Sequence, residues 1–218
     1  MKLEITGHEV SALVRKQLNS LFTFDVSTES DLLQAGVDMA LNRCEYCFSH
    51  TKNKYYRRQG QVYFNPFHSG QYSIFLYFLS ASIFRVHGNI GMLPDRIYYL
   101  NKCLNGLDLF YEVKMPSIFF LDHPVGSVIG RASYEDGFSF SQNCTVGNNK
   151  GRYPSFGKNV RMMSGAKVLG DCRIGHNVII SANTYIKDVE IPSFSIVFGS
   201  SPNIIIKRKP ETYFASDA

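Results

Sequence analysis

The sequence lacks a long hydrophobic run, and we expect no secretory signal peptide. Its most apolar stretch, residues 72–84, is 13 residues long, whereas a membrane-spanning helix needs about 20. The first ten residues have neither the basic start nor the apolar centre of a signal peptide. We therefore expect a buried helix at 72–84 and a cytoplasmic protein with no membrane span.

The chain also lacks the cysteine and histidine patterns of a disulfide scaffold or a metal site. Its five cysteines are an odd number without regular spacing, which favours reduced thiols. Cys44 and Cys47 form a C-x-x-C, but positions three apart share one helix face, so we expect two buried core thiols. No second cysteine pair completes a zinc site, and the six histidines have no ligand spacing, so we predict no metal.

A strong excess of charge of one sign is also absent. The formal net charge is +5, and acidic residues are interspersed among the basic ones, so nothing indicates a nucleic-acid-binding stripe. With 218 residues, 44% of them hydrophobic, the chain can bury a substantial core in one large or two small domains.

Up to about residue 107 the apolar spacing is helical. The pattern predicts helices over 9–22, 29–44, 72–84 and 95–107. Thr28 is a candidate cap for the second helix, and Pro94 suits the first turn of the fourth.

After that the period changes to six. Every sixth residue from Phe156 is apolar, and a second file four places later is small or branched until Glu190. A period of six fits neither an α-helix nor a plain strand, and it favours a solenoid of short parallel strands over a β-sandwich, whose turns recur at 8 to 12 residues. The first file is Phe156, Met162, Val168, Ile174, Ile180 and Ile186; the second is Val160, Ala166, Cys172, Val178, Thr184 and Glu190.

Small residues and one interruption mark the corners of this solenoid. Gly157 and Gly175 follow file positions, and Asn159, Asn177 and Asn183 stand where a left-handed backbone is needed. The stretch "NNKGRYPS" (148–155) interrupts the repeat, and we expect it to be an outward loop.

Three stretches within residues 65–209, "LDHPVGSVIG", "SGAKVLGDCRIGHNVIISANTYI" and "VFGSSPNIIIKRKP", resemble hexapeptide-repeat acyltransferases, most closely serine acetyltransferases. The resemblance implies an α+β fold: an α-helical N-terminal domain (1–107), a left-handed parallel β-helix (108–209) and a tail (210–218). It also implies acetyl-CoA as the acyl donor, and a homotrimer with active sites between neighbouring β-helices.

The resemblance assigns roles to single residues. His123 of the D-H-x-x-G segment is the expected catalytic base, Asp108 the carboxylate that orients it, and Asp122 a substrate-side carboxylate. A near-neutral imidazole suits removal of a hydroxyl proton, and a carboxylate on its far nitrogen fixes the tautomer. Arg152 and Tyr153 are expected on the acceptor side.

Other residues are expected to bind the donor. Small side chains at Ser164 and Ala182 match positions along which the family places the pantetheine arm. A backbone N–H near Gly147 is a candidate donor for the developing oxyanion. The basic residues Lys207, Arg208 and Lys209 could bind the coenzyme A phosphates, or they could be a solvated tail.

The sequence departs from the serine acetyltransferase pattern at the acceptor. It reads Arg152-Tyr153-Pro154 where that group has Arg-His-Pro, its loop is shorter, and no aspartate stands near residue 55. Because polar partners discriminate steeply, we predict an O-acetyltransferase acting on a sugar hydroxyl in polysaccharide biosynthesis. Serine is the first alternative and N-acetylation of an amino sugar another. A non-catalytic trimeric β-helix scaffold remains open.

Overall fold

The computed structural model describes residues 1–51 and 53–215. The chain divides into two compact units, Met1–Glu112 and Val113–Ala218. The limits 1–107, 108–209 and 210–218 stay predictions, and residues 216–218 of the predicted tail lie outside the described residues. The fold class is confirmed, because helices form the first unit and a parallel β-helix the second.

The first unit is built on helices whose positions match the apolar spacing. A small sheet in the order β1-β3-β2, which the sequence pattern did not predict, accompanies them. The bounds are α1 Gly7–Leu21, α2 Val26–Ser49, α3 Ser69–His87 and α4 Leu93–Asn105, with β1 Lys2–Leu3, β2 Arg57–Arg58 and β3 Gln61–Phe64.

Local hydrogen bonds fix where these helices begin and end. Thr6 and Glu9 form a reciprocal capping box on α1. Asp25, and not Thr28, caps α2: its carboxylate accepts the Ser27 N–H at 2.9 Å, so Thr28 lies inside the first turn. Pro94 stands in the first turn of α4, as predicted, where the missing N–H costs nothing.

Helix α3 is the core of this unit. Its residues from Gly70 to Ile83 are buried, and it packs against α2 and α4. Cys44 and Cys47 of α2 are fully buried, as predicted, and burial raises the pKa of the Cys44 thiol. Among the described residues, no helix is both long and apolar enough to cross a membrane.

The second unit is a parallel β-helix with one strand per face in each coil. The described strands stack in the orders β4-β7-β10-β13-β16, β5-β8-β11-β14 and β6-β9-β12-β15, and β17 returns antiparallel on β16. Their bounds are β4 Phe119–Leu121, β5 Val128–Ile129, β6 Ser133–Tyr134, β7 Phe138–Phe140, β8 Thr145–Gly147, β9 Ser155–Phe156, β10 Arg161–Met162, β11 Lys167–Leu169, β12 Arg173–Ile174, β13 Val178–Ile180, β14 Tyr185–Lys187, β15 Glu190–Ile191, β16 Ser195–Ser200 and β17 Asn203–Arg208, and a helical turn α5 follows at Glu211–Ala215.

The six-residue files are the interior of the coils. Every member of the first file is at most 4% exposed, and those of the second are buried until Glu190, which is exposed. Ile174 pairs with Ile191 and not with residue 192, so one residue is missing from the last coil. Val189 therefore takes the position that the strict period assigned to Glu190.

The corners contain asparagine and glycine for two different reasons. Asn159, Asn177 and Asn183 have φ between +52° and +58°, which confirms the predicted left-handed corners. Gly157 and Gly175 are needed for close approach instead: a Cβ on Gly175 would lie 2.5 Å from the Ser193 amide nitrogen, and one on Gly157 would lie 2.9 Å from the Gly175 carbonyl carbon.

Candidate functional site

His123 stands on an exposed corner directly after β4. Its φ is +48°, a left-handed backbone that is uncommon outside glycine and asparagine. Its side chain is 85% exposed, and its Nε2 lies 3.5 Å from the Asp122 carboxylate, which is 79% exposed. The Asp122 amide donates to the Phe140 carbonyl at 3.0 Å, so the next coil fixes the backbone of this corner. The imidazole is accessible to a substrate.

Asp108 lies in the first unit, just after the left-handed end of α4 at Gly106. Tyr98 donates its hydroxyl to Asp108 Oδ1 at 2.7 Å, and Lys102 donates to Oδ2 at 2.6 Å. The hydrogen bond to Asp108 raises the pKa of Lys102, and burial, followed by the same carboxylate, raises the pKa of Tyr98. The pairing of Asp108 with His123 stays a prediction.

Arg152 and Tyr153 lie on the loop that interrupts the repeat. Phe140 pairs with Met162, 22 positions on, whereas Met162 pairs with Ile180, 18 positions on. The loop thus adds four residues to one coil. The Arg152 side chain is 73% exposed and pairs with Asp171 at 3.7 Å, while Tyr153 is 47% exposed. Both side chains that are predicted to contact the acceptor substrate are therefore accessible to solvent.

The residues predicted to bind acetyl-CoA lie on several parts of the β-helix. Ser164 and Ala182 occupy the same corner of successive coils, where the Asn183 amide donates to the Ser164 carbonyl at 2.9 Å. Gly147 lies inside β8, paired with Leu169, and its carbonyl accepts the Gly170 N–H at 3.0 Å. It therefore precedes the interruption and is part of a paired strand.

Two of the three basic C-terminal residues, Lys207 and Arg208, lie on strand β17, and Lys209 follows directly after it. Lys207 and Arg208 are exposed on β17, and Lys207 Nζ lies 5.4 Å from the centre of the Phe198 ring. The Lys209 amide donates to the Phe194 carbonyl at 2.8 Å, and its ammonium lies 5.4 Å from the Tyr213 ring. Their binding of phosphate stays a prediction.

The structure also reveals polar residues that the sequence pattern did not select. Asp171 and Asp188 lie on two successive coils beside the loop, where Asp188 accepts hydrogen bonds from Asn149 and from the Asp171 amide. The signal in the sequence was available: Asp188 lies 18 residues after the corner glycine Gly170, one full coil further on. Within the part of the chain that the structure describes, no group of three His, Cys, Asp or Glu side chains could hold a metal ion.

Comparison with known proteins agrees with this architecture. Residues 153–188 match the family described as "Bacterial transferase hexapeptide (six repeats)". A serine acetyltransferase of Staphylococcus aureus (strain Mu50 / ATCC 700699) is 34% identical over 117 residues, which cover 51% of this chain and 54% of that relative. The predicted resemblance to serine acetyltransferase-like hexapeptide-repeat proteins is confirmed. The chain spans about half the length of the curated relatives it matches.

Solved structures extend the likeness of fold to the helical half. A crystal structure of Neisseria gonorrhoeae serine acetyltransferase aligns with a TM-score of 0.72 at 20% identity, covering 98% of this chain and 84% of that one. A Brucella abortus strain S19 serine acetyltransferase in complex with coenzyme A aligns with a TM-score of 0.67 at 19% identity, covering 94% and 83%. These likenesses show the fold alone, including the order of helices before β-helix.

Proposed function

We propose that this chain is an acetyl-CoA-dependent O-acetyltransferase whose acceptor is the hydroxyl of serine. The observation that carries the proposal is the 34% identity to a serine acetyltransferase over half of the chain. The coenzyme A in the similar Brucella abortus structure supports acetyl-CoA as the donor. A catalytic activity is favoured over a silent scaffold because the side chain of His123 is exposed.

The chemistry needs one base and one orienting carboxylate. In the proposed reaction His123 removes the hydroxyl proton as the acceptor oxygen attacks the thioester carbon. The C–S bond then breaks, and the imidazolium returns its proton to the departing thiolate. Asp108 is the proposed partner that holds the imidazole tautomer and stabilises its protonated form.

The acceptor is where the proposal departs from the sequence prediction. The comparisons do not support a sugar acceptor, and the similar staphylococcal proteins are serine acetyltransferases. Arg152 supports serine, because an exposed guanidinium can bind the amino acid's carboxylate with two parallel hydrogen bonds. A sugar remains the second candidate on one observation: Tyr153, 47% exposed, stands where the family has histidine.

The first experiment measures coenzyme A release from acetyl-CoA with serine and with a panel of nucleotide sugars, amino sugars and oligosaccharides. We expect turnover on serine, and a loss of about 10² to 10⁴ in kcat for His123→Ala. His87→Ala, an exposed histidine at the end of α3, is the control. Equal rates for wild type and His123→Ala would favour the scaffold, and efficient turnover on a saccharide alone would overturn serine.

The homotrimer is proposed on the resemblance. An exposed catalytic imidazole agrees with a site that needs a neighbouring chain to be complete, as the resemblance implies. Light scattering of the purified chain should give three chain masses, and activity should fall on dilution together with that mass. A monomer with full activity would contradict the proposal.

A further inference from the structure

The loop at residues 148–155 contains a short hairpin, and side chains of the two following coils contact it. Asn149 and Arg152 exchange both backbone hydrogen bonds at 3.0 Å. The two residues between them, Lys150 and Gly151, have φ of +50° and +75°, as a tight two-residue hairpin turn requires. An isolated hairpin of this size is marginally stable in water, so its position depends on other contacts.

Those contacts come from two aspartates on two successive coils. Asn149 donates its side-chain Nδ2 to Asp188 Oδ2 at 2.6 Å, across 39 residues of sequence. Asp188 Oδ1 accepts the backbone N–H of Asp171 at 2.8 Å. The Asp171 carboxylate in turn lies 3.7 Å from Arg152 Nη1. Asp188 therefore holds one end of the hairpin directly and the other end through Asp171.

A carboxylate suits position 188 because each of its oxygens accepts a separate hydrogen bond. The Asp171 amide, followed by the Asn149 side chain, holds the pKa of Asp188 below its usual range. Its φ is +49°, so it occupies a left-handed corner. Four other left-handed corners carry asparagine, which has one side-chain oxygen and cannot present two: Asn143, Asn159, Asn177 and Asn183.

Gly170 makes room for this arrangement. A Cβ added there would lie 2.0 Å from Asp188 Oδ1 and 2.8 Å from the Asn149 Cβ. Its φ of +80° also disfavours any other residue. The missing side chain lets the corner of one coil and the hairpin of another meet.

We propose that Asp188 and Asp171 are positioning residues that fix Arg152 and Tyr153 for the acceptor, and so set the KM for the acceptor and not for acetyl-CoA. This inference rests on the proposed function, in which Arg152 binds the acceptor. Neither aspartate touches the reacting atoms in this proposal; both act through the hairpin.

The test exchanges the two partners of one hydrogen bond. Asp188→Ala removes both carboxylate oxygens, the one that accepts from Asn149 and the one that accepts from the Asp171 amide. Asn149→Asp places two carboxylates against each other. The double variant Asn149→Asp/Asp188→Asn restores a carboxylate–amide pair in the opposite direction. Asn177→Asp, at a corner away from the hairpin, is the matched control, because its oxygen accepts from Asn159 either way.

We expect Asp188→Ala and Asn149→Asp each to raise the KM for the acceptor at least about fivefold, the size of one partly exposed hydrogen bond, with the KM for acetyl-CoA within about twofold. The double variant should return the acceptor KM to within about twofold of wild type. In parallel, amide hydrogen exchange across residues 148–153 should quicken in both single variants and recover in the double one. Asn177→Asp should change none of these.

Unchanged acceptor KM in the single variants, equal effects on both substrates, or failure of the double variant to recover would each overturn the inference while leaving the proposed function intact. A wild-type protein that acetylates no acceptor would instead refute the proposed function. It would also refute the predicted effect of the two aspartates on the acceptor KM. The exchange experiment then still decides whether Asp188 holds the hairpin.

Discussion

Truncating Ile180 should destabilise the β-helix far more than truncating its neighbour Ile179. Ile180 is fully buried, and its strand pairs with the strands of Met162 on one side and Val197 on the other. Ile179 is adjacent on the same strand and points to the opposite face, where it is half-buried. The two substitutions remove the same atoms from the same strand, so their difference isolates burial.

The magnitude follows from the removed groups and from the rigidity of the stack. Ile180→Ala deletes three carbon groups, worth about 0.8 kcal/mol each on burial, or about 2.4 kcal/mol together. Strands on both sides are hydrogen-bonded at a fixed spacing, so the space cannot collapse and a cavity cost is added. We expect a loss of about 3 to 4 kcal/mol in the free energy of unfolding of the β-helix, against less than about 1 kcal/mol for Ile179→Ala.

The chain contains no tryptophan, so no indole fluorescence reports on the β-helix. Native-state hydrogen exchange of the β13 and β16 amides in increasing urea measures the β-helix, and the α3 amides serve as an internal reference for the other unit. A loss below about 1 kcal/mol for Ile180→Ala, or one equal to that of Ile179→Ala, would refute the assignment of the six-residue file to a rigid interior.

Three further predictions concern a cap, a corner and a carboxylate. Thr6→Ala should lower the free energy of unfolding of the helical unit by about 1 kcal/mol in urea, whereas Thr6→Ser should keep it, because only alanine removes the capping oxygen. Gly175→Ala should cost about 1 to 3 kcal/mol by overpacking against Ser193, in contrast to Gly7→Ala, whose Cβ would meet Leu41 at an ordinary 3.6 Å; equal melting shifts would argue against close approach as the reason for Gly175. Because the folded pKa of Asp188 is lowered, its contribution to stability is complete above about pH 4, the usual range of an aspartate, and is lost as the pH falls through the lowered value. The carboxyl carbon resonance of Asp188 should therefore titrate below that usual range, and a midpoint within it would contradict the lowered pKa.

The interior of the fold was predictable because a period in the sequence reports a period in space. The apolar file from Phe156 to Ile186 is buried at every member, since each coil must bury one side chain against the next. The strict period failed at Glu190, because a one-residue deletion in a coil leaves no local mark in composition. The cap at Asp25 was missed for a related reason: several residues near it can accept the same hydrogen bond, and the contact that forms depends on where α2 begins.

The candidate site was less predictable than the core. His123 could be selected because its neighbours form a short motif, and its exposure follows from its corner. The hydrogen bonds of Asp108 with Tyr98 and Lys102, and those of Asp188 with Asn149, join residues up to 39 positions apart. No local pattern encodes such pairs, since the distance between them in space is set by the stacking of coils and the packing of helices.

The four additional residues in one coil have a consequence for the evolution of this β-helix. Val146 still pairs with Val168, and Tyr134 with Phe156, although the loop lies within that coil. The additional residues thus form a loop at one corner, and the paired strands on either side of it stay in register. Insertions and deletions at this corner can therefore change the length of the exposed loop while the paired strands that keep the β-helix folded stay the same.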